Sequence, residues 1–258
     1  MTAGRSLLLT ALPDFPLIRP GDDLAGLILQ TLDRNHLLLE SGDVLVLAQK
    51  IVSKSENRLV DLTTITPSRR AIDLSTLCEK DPRFVELVLR ESRDVLRVRP
   101  GLLVVEHRLG FVCANAGIDR SNVGKADGKA EWVLLLPEDP DASCRTLRER
   151  IQQAAGAVIG VIINDSHGRA WRNGTVGMAI GVGGFPALED LRGRKDLFDY
   201  TLQITQVAAA DELAAAASLL MGQADEALPV IHARGFPYPL RESSLAELVR
   251  PKEIDVFR

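Results

Sequence analysis

Asp43-Val-Leu-Val-Leu-Ala48 runs directly into Gln49-Lys-Ile-Val-Ser-Lys54. The first half is an unbroken apolar run and reads as a buried strand. The second half puts polar residues just where such a strand ends. If the strand continues, Lys50 and Lys54 fall on one side of it. If the chain turns helical, their four-residue spacing aligns them as well. Either way they can form a cationic pair facing phosphate; the plainer alternative is a solvated surface.

Two further stretches, Val112-Cys-Ala-Asn-Ala-Gly-Ile-Asp-Arg-Ser-Asn-Val123 and Val161-Ile-Ile-Asn-Asp-Ser-His-Gly-Arg169, share a pattern. In each, a strand-like run stops at a carboxylate, Asp119 or Asp165, with small and hydroxyl neighbours and a following Arg (Arg120, Arg169). Two carboxylates at strand ends can share a hard divalent cation, which prefers oxygen ligands. Arg bonds phosphate oxygens bidentately. Metal with phosphate suggests nucleotide chemistry. The bland reading makes Asp119 a turn former within Asn115-Ala-Gly-Ile-Asp119 and Asp165 the start of a turn before Gly168.

Other motifs are weaker. No Gly-x-x-x-x-Gly-Lys-Ser/Thr loop occurs. Gly181-Val-Gly-Gly184 is followed by Phe185-Pro186, not by the helix that a dinucleotide fingerprint needs, and reads as a plain turn. The histidines are scattered and make no zinc spacing with the cysteines. His167 reads as an exposed loop residue, and Asp211-Glu212 as a solvated helix face.

Around these motifs, strands are expected at 6–12, 43–48, 102–107, 110–113, 132–136, 157–163, 176–182 and 230–232. Helices are expected from Asp22 or Asp23 as cap, at 68–80, 83–93, 139–155, within the Ala-rich 205–222, and at 243–248. Gly124 to Lys129 reads as a polar loop. Strands and helices mix without a regular βαβ period, which favours α+β with mixed sheets over a doubly wound sheet.

At 258 residues, 46% hydrophobic and 26% charged, the chain suits one large domain or two small ones with a sizeable core. A net charge of −4 gives no reason to expect nucleic acid or an anionic membrane. No apolar run reaches the ~18 residues of a transmembrane helix, and the N-terminus shows no secretory pattern. Three widely spaced cysteines argue against a disulfide framework and for the cytoplasm.

Taken together, these motifs resemble the coenzyme F420-0:γ-glutamyl ligase family over nearly the whole chain. The resemblance rests on Pro16-Leu-Ile-Arg-Pro-Gly-Asp-Asp-Leu24, Gly42 to Lys54, Val112 to Val123, Leu134-Leu-Leu-Pro-Glu-Asp-Pro-Asp-Ala-Ser143, Asp165-Ser-His-Gly-Arg-Ala-Trp-Arg172, and Ala210-Asp-Glu-Leu-Ala214 leading to Leu220-Met-Gly222. It implies a non-Rossmann α+β fold forming an intertwined homodimer, with the nucleotide near the subunit interface. It implies GTP-dependent addition of L-glutamate to the F420 precursor (F420-0, with F420-1 as a further acceptor), releasing GDP and phosphate. An acyl phosphate would supply the leaving group that a carboxylate lacks.

By the same resemblance, GTP contacts fall on Phe15, Pro16, Leu17, Ile18, Gln49, Lys50, Lys54, Asn122 and Met221 to Leu228 (Met221, Gly222, Gln223, Ala224, Asp225, Glu226, Ala227, Leu228). Ligands for Mg²⁺ or Mn²⁺, one ion or two, fall on Asp119, Asp165, Ser166 and Gln223. Asp119, Asp165 and Lys54 would carry the chemistry, and Arg169 and Arg172 are read from the residues themselves as holding anionic substrate groups. The chain departs from the family pattern at Ser166 (Thr is usual), at Gln223 (an acidic ligand elsewhere), at Asn164 and His167, and in the glycine-poor Ala224-Asp-Glu-Ala227. Two other readings are a metal-dependent phosphatase or phosphotransferase with Asp165 as nucleophile, and a non-catalytic GTP-binding regulatory module.

Overall fold

The computed structural model describes residues 4–123 and 131–256; the Gly124 to Lys129 loop lies outside them. In chain order the elements are β1 (Leu8–Ala11), α1 (Leu24–Arg34), β2 (Val44–Ala48), α2 (Gln49–Ser55), β3 (Leu59–Asp61), α3 (Arg69–Cys78), α4 (Pro82–Arg90), β4 (Ser92–Arg99) and β5 (Leu102–His107). There follow β6 (Val112–Ala114), β7 (Trp132–Leu134), α5 (Pro140–Ala155), β8 (Gly160–Arg169), β9 (Arg172–Gly183), β10 (Glu189–Asp190), β11 (Gln206–Val207), α6 (Ala209–Met221) and β12 (Val230–Arg234). Mixed sheets with helices are what the sequence predicts.

The largest sheet has five strands in the order β1-β12-β2-β8-β9. Within it β2 and β8 run parallel, and the remaining neighbours are antiparallel. The apolar run of β2 explains its central place. Leu45 and Leu47 enter a core with Ile28 of α1 and Ile151 of α5, while Val44 and Val46 enter a second core with Leu213 and Ala217 of α6. Alternate side chains thus bury both faces of one strand. A third core joins Phe84 and Val88 of α4 to Leu103 and Val105 of β5 and Val133 of β7. Smaller sheets pair β4-β5-β6, β3 with β7, and β10 with β11.

Local signals set the helix ends. Asp23 caps α1 by accepting from the Gly26 N–H at 3.1 Å, whereas Asp22 turns back to the Arg19 N–H at 2.7 Å. Asp139 caps α5 through the Ala142 N–H at 2.9 Å, with Pro140 following, and Gly156 ends it at φ +69°.

The structure corrects several expectations. The helix expected to reach Arg93 ends at Arg90, because residues from Ser92 pair with β5 as a strand. The strands expected at 157–163 and 176–182 are parts of one long hairpin, β8 to β9, whose outer half is polar and is held by ladder pairing as far as Arg169 with Arg172. Along this hairpin Ile163 pairs with Gly181 but Asn164 pairs with Ala179, so Ile180 is an extra residue. Such a bulge switches which side chains face which side. The glycines follow it. A Cβ at Gly177 would lie 2.5 Å from the Ala214 carbonyl oxygen of α6, and one at Gly181 would lie 2.5 Å from Cβ of Pro140 on α5. The glycine cluster expected to be a plain turn is therefore largely a packing seam. Asp211, expected on a solvated face, is part-buried and accepts from the Ala179 N–H at 3.0 Å.

Asp43, just before β2, ties the start of that central strand to β12. It is 2% exposed and accepts from Arg234 Nε at 2.9 Å, Arg234 Nη2 at 2.7 Å and the Glu40 N–H at 2.8 Å, with His232 Nε2 lying 2.8 Å away. Burial works to raise its pKa, but the Arg234 and Glu40 hydrogen bonds and His232 outweigh it, and the carboxyl sits below its ordinary value. Asp43→Asn is expected to lower unfolding stability at neutral pH by roughly 1.5–3 kcal/mol, the scale of hydrogen bonds to a charged group. A depressed carboxyl contributes fully above its unfolded-state pKa and loses that contribution as pH falls through its native value. Urea titrations should therefore show the gap between wild type and variant closing in acid; a gap that widens there would refute this account.

Among the described residues no helix is long and apolar enough to cross a membrane. Cys78, Cys113 and Cys144 are all free and buried.

Candidate active site

β2 stops at Ala48 opposite Asn164, and the chain turns into α2. β8 continues past that point, which frees its edge on the β2 side. A cavity of about 1020 Å³ opens along the freed edge. Its walls are Phe15 to Arg19, Ala48 to Ile51 with Lys54, the segment from Cys113 to Val123, Asn164 to Gly168, and Met221 to Pro229 with Ser218. Stretches distant in sequence thus meet in one place, and they include every residue expected to touch GTP or metal.

The helical alternative for the two lysines is the correct one: Lys50 and Lys54 lie one turn apart on α2. Lys50 Nζ sits 2.8 Å from Asp119 Oδ2, and Gln49 Nε2 donates to the same oxygen at 2.6 Å. Ser53 holds the Gln49 amide in place by donating to its Oε1 at 2.9 Å. Lys54 Nζ donates to the Asn122 carbonyl at 2.6 Å, and Asn122 Nδ2 donates to the Ala224 carbonyl at 2.9 Å. This chain of bonds ties α2, the Asp119 segment and the glycine-poor loop into one wall.

Neither carboxylate stands at a strand end, and this corrects the sequence reading. β6 finishes at Ala114, and Asn115, Ala116 and Gly117 follow in left-handed conformation at φ +51°, +55° and +66°. A Cβ on Gly117 would come 2.7 Å from Leu136 Cδ1, so the turn needs glycine there. Asp119 is not the turn former: its backbone exchanges two hydrogen bonds with Leu134, both 2.9 Å, which leaves the carboxylate to Lys50 and Gln49. Asp165 lies mid-strand in β8, paired with Met178. His167 is buried, not exposed, with Nε2 at 3.0 Å from Asp165 Oδ2. The Ser166 hydroxyl points to the opposite face and donates to Gln223 Oε1 at 2.7 Å.

Burial raises the Asp119 pKa; repulsion from Asp165 adds to this, while Lys50 and Gln49 oppose it without cancelling it. Burial likewise lowers the pKa of Lys54, and repulsion from Lys50 adds. The Cys113 thiol in the cavity wall is pushed up to about 12 by burial first and by Asp165 second, so it is an inert wall atom.

Two part-buried carboxylates that repel each other fit a divalent cation. Among the described residues no group of three or more His, Cys, Asp or Glu is arranged to hold a metal ion. Cations held along this wall would draw their remaining ligands from neutral oxygens, such as Ser166 Oγ and Gln223 Oε1, or from oxygens of the substrate. That set suits a hard cation rather than zinc.

Not every expected residue faces the cavity in the same way. Phe15, Ile18 and Met221 are mainly core residues, whereas Leu17 is exposed. Arg169 and Arg172 lie exposed at the tip of the β8–β9 hairpin and do not line the cavity; Arg169 Nη1 donates to the Gly174 carbonyl at 3.2 Å. Arg19 and Ser121, to which the sequence assigns no role, also line it, and so does His167, which by sequence reads as an exposed loop residue. For His167 the signal was its spacing of two from Asp165, which puts both side chains on one face of a strand.

A family model described as F420-0:gamma-glutamyl ligase matches residues 14–235. The coenzyme F420:L-glutamate ligase of Methanothermobacter thermautotrophicus is 47% identical over 245 residues, covering 94% of this chain and 95% of its own. That of Methanopyrus kandleri is 45% identical, covering 93% of each chain. That of Archaeoglobus fulgidus is 44% identical over 94% of this chain and 93% of its own. Likeness of this degree over nearly full length makes the chain an enzyme of the ligase class. Within that class it belongs to the F420-0:gamma-glutamyl ligase family.

If Gln223 contributes its amide oxygen to a cation, a carboxylate there should bind that cation more tightly, because hard cations respond to ligand charge. Gln223→Glu is expected to lower the Mn²⁺ concentration giving half-maximal activity at fixed GTP. Superimposable titrations for variant and wild type would remove Gln223 from the ligand set.

Proposed function

We propose that this chain uses GTP to join L-glutamate to the F420 precursor, forming an amide and releasing GDP and phosphate. The observation that carries this reading is the single cavity in which Lys50 and Lys54, the carboxylates Asp119 and Asp165, and the loop from Met221 to Leu228 face one another. At about 1020 Å³ it is at the upper end of small-molecule sites, as suits more than one reactant.

The chemistry follows from the leaving-group problem. The terminal carboxylate of the precursor attacks the γ-phosphorus of GTP, and the bond to the β,γ-bridging oxygen breaks to release GDP. The glutamate amine then attacks the acyl carbon of the mixed anhydride. The tetrahedral intermediate expels phosphate, and the amine proton leaves to phosphate or water. Lys54, desolvated and repelled by Lys50, gains most from a phosphate beside it. Lys50 can turn from Asp119 toward the phosphates as that carboxylate takes up a cation. Asp119, Asp165, Ser166 and Gln223 would hold Mg²⁺ or Mn²⁺. When bound, the cation neutralises phosphate charge and favours in-line transfer. Asp165 and Ser166 point to opposite faces of β8, which supports two cation positions.

Oxygen labelling tests the scheme. With ¹⁸O in the precursor carboxylate, one label should appear in released phosphate. Label-free phosphate would contradict an acyl phosphate, and a phosphorylated Asp165 with no need for glutamate would favour a phosphatase.

A homodimer is part of this reading. The arm between β10 and β11 carries Leu197 and Phe198 at 96% and 89% exposure, with Ile204 also open. Apolar side chains grouped on one projection favour a partner surface. Light scattering at micromolar concentration should give twice the 28.1 kDa chain mass; a monomer would refute the dimer.

A further inference from the structure

We infer that His167 is a positioning residue for Asp165, an inference that rests on the proposed role of Asp165 as a cation ligand. His167 Nε2 lies 3.0 Å from Asp165 Oδ2, and the ring is only 6% exposed. For that contact to be attractive, Nε2 must carry the proton and donate to the carboxylate. One carboxylate oxygen is then engaged, and the other is left to the cavity, where Asp119 repels Asp165 across it.

The ring is itself fixed from the far side. Phe111 packs against it with centroids 5.3 Å apart, and His107 stacks on Phe111 at 5.1 Å. His107 is buried, and its Nδ1 accepts the Leu109 N–H at 3.1 Å. Burial above all pushes the His107 pKa down to about 4, so it is neutral at working pH and packs as an aromatic ring. A His107–Phe111–His167 ladder thus runs from the β5–β6 hairpin to β8 and sets the carboxylate that would hold the cation. A hydrogen bond to a ligating carboxylate fixes its orientation, and losing such a partner typically costs about 10–100-fold in metal affinity.

The test compares wild type, His167→Phe and His167→Gln. Phe keeps the packing and removes the donor; Gln restores an N–H at nearly the position of Nε2. Mn²⁺ uptake is followed by the electron paramagnetic resonance of free Mn²⁺, with GTP present and both other substrates omitted so that nothing turns over, and the Mn²⁺ held by the same GTP without protein is subtracted. His167→Phe should raise the half-saturating Mn²⁺ about 10–100-fold, and His167→Gln should recover most of the loss. A folded Phe variant that binds Mn²⁺ like wild type overturns the inference. So does a Gln variant as weak as Phe, because packing would then be the whole role. A wild type that takes up no Mn²⁺ with GTP overturns the cation reading of Asp165 itself, and with it the inference. Should the Phe variant fail to fold, ¹⁵N NMR of metal-free wild type decides. A protonated Nε2 on His167 supports the assignment, and a protonated Nδ1 with bare Nε2 overturns it.

Discussion

Asp119→Asn and Asp165→Asn are each expected to cut turnover by at least about 10²-fold, the scale lost with one electrostatic stabiliser, while leaving the fold intact. Asn keeps the volume of Asp and an oxygen that can still accept from Gln49 Nε2, which donates to Asp119 at 2.6 Å. The Asp119 backbone stays paired with Leu134, so its segment does not depend on the charge. Asp165 is held likewise by ladder pairing within the β8–β9 hairpin. What each variant would lose is half of the negative charge that the proposed cation meets. The measurement is steady-state turnover beside a urea midpoint. Near-normal activity in both variants would remove the carboxylates from the chemistry, whereas lost activity with a collapsed urea midpoint would mean a structural role.

The second large effect falls on GTP binding. Lys54→Ala is expected to weaken GTP affinity by about 10–100-fold, equivalent to the roughly 1.5–3 kcal/mol of a charge-assisted hydrogen bond, and to move the glutamate KM far less. The Lys54 ammonium is already partly desolvated and repelled by Lys50, and in the free protein it bonds a neutral carbonyl, that of Asn122. An anionic phosphate is the better partner. Lys50→Ala should act in the same direction with a smaller effect, because the Lys50 ammonium is shared with Asp119. Calorimetry reads both. An unchanged GTP affinity in Lys54→Ala would place the phosphates elsewhere.

These effects could be named from sequence because the informative residues are chemically explicit. The Val-Leu-Val-Leu run of β2 reads as a buried strand, and it is the central strand, covered on both faces. Lys50 and Lys54 kept their common face through the turn into α2 because a four-residue spacing survives either geometry. What was hidden depended on pairing across the chain. The polar half of the β8–β9 hairpin has no apolar alternation, so nothing local marks Asp165 and His167 as strand residues. Ile180 became a bulge only by its register against β8, and that bulge turns Gly177 toward α6 and Gly181 toward α5. The left-handed run from Asn115 to Gly117 carries turn residues, yet their composition does not say that the turn delivers Asp119 to α2. His167 reads as surface because Phe111, the ring that covers it, lies far away in sequence.

The central claim is the ligation itself. The direct measurement is mass spectrometry of the deazaflavin precursor after incubation with the protein, Mn²⁺, GTP and L-glutamate, beside controls lacking GTP or glutamate. Precursor heavier by one glutamyl residue or more is expected only when both are present, with GDP formed in step. Precursor of unchanged mass while GTP is bound or hydrolysed would contradict it.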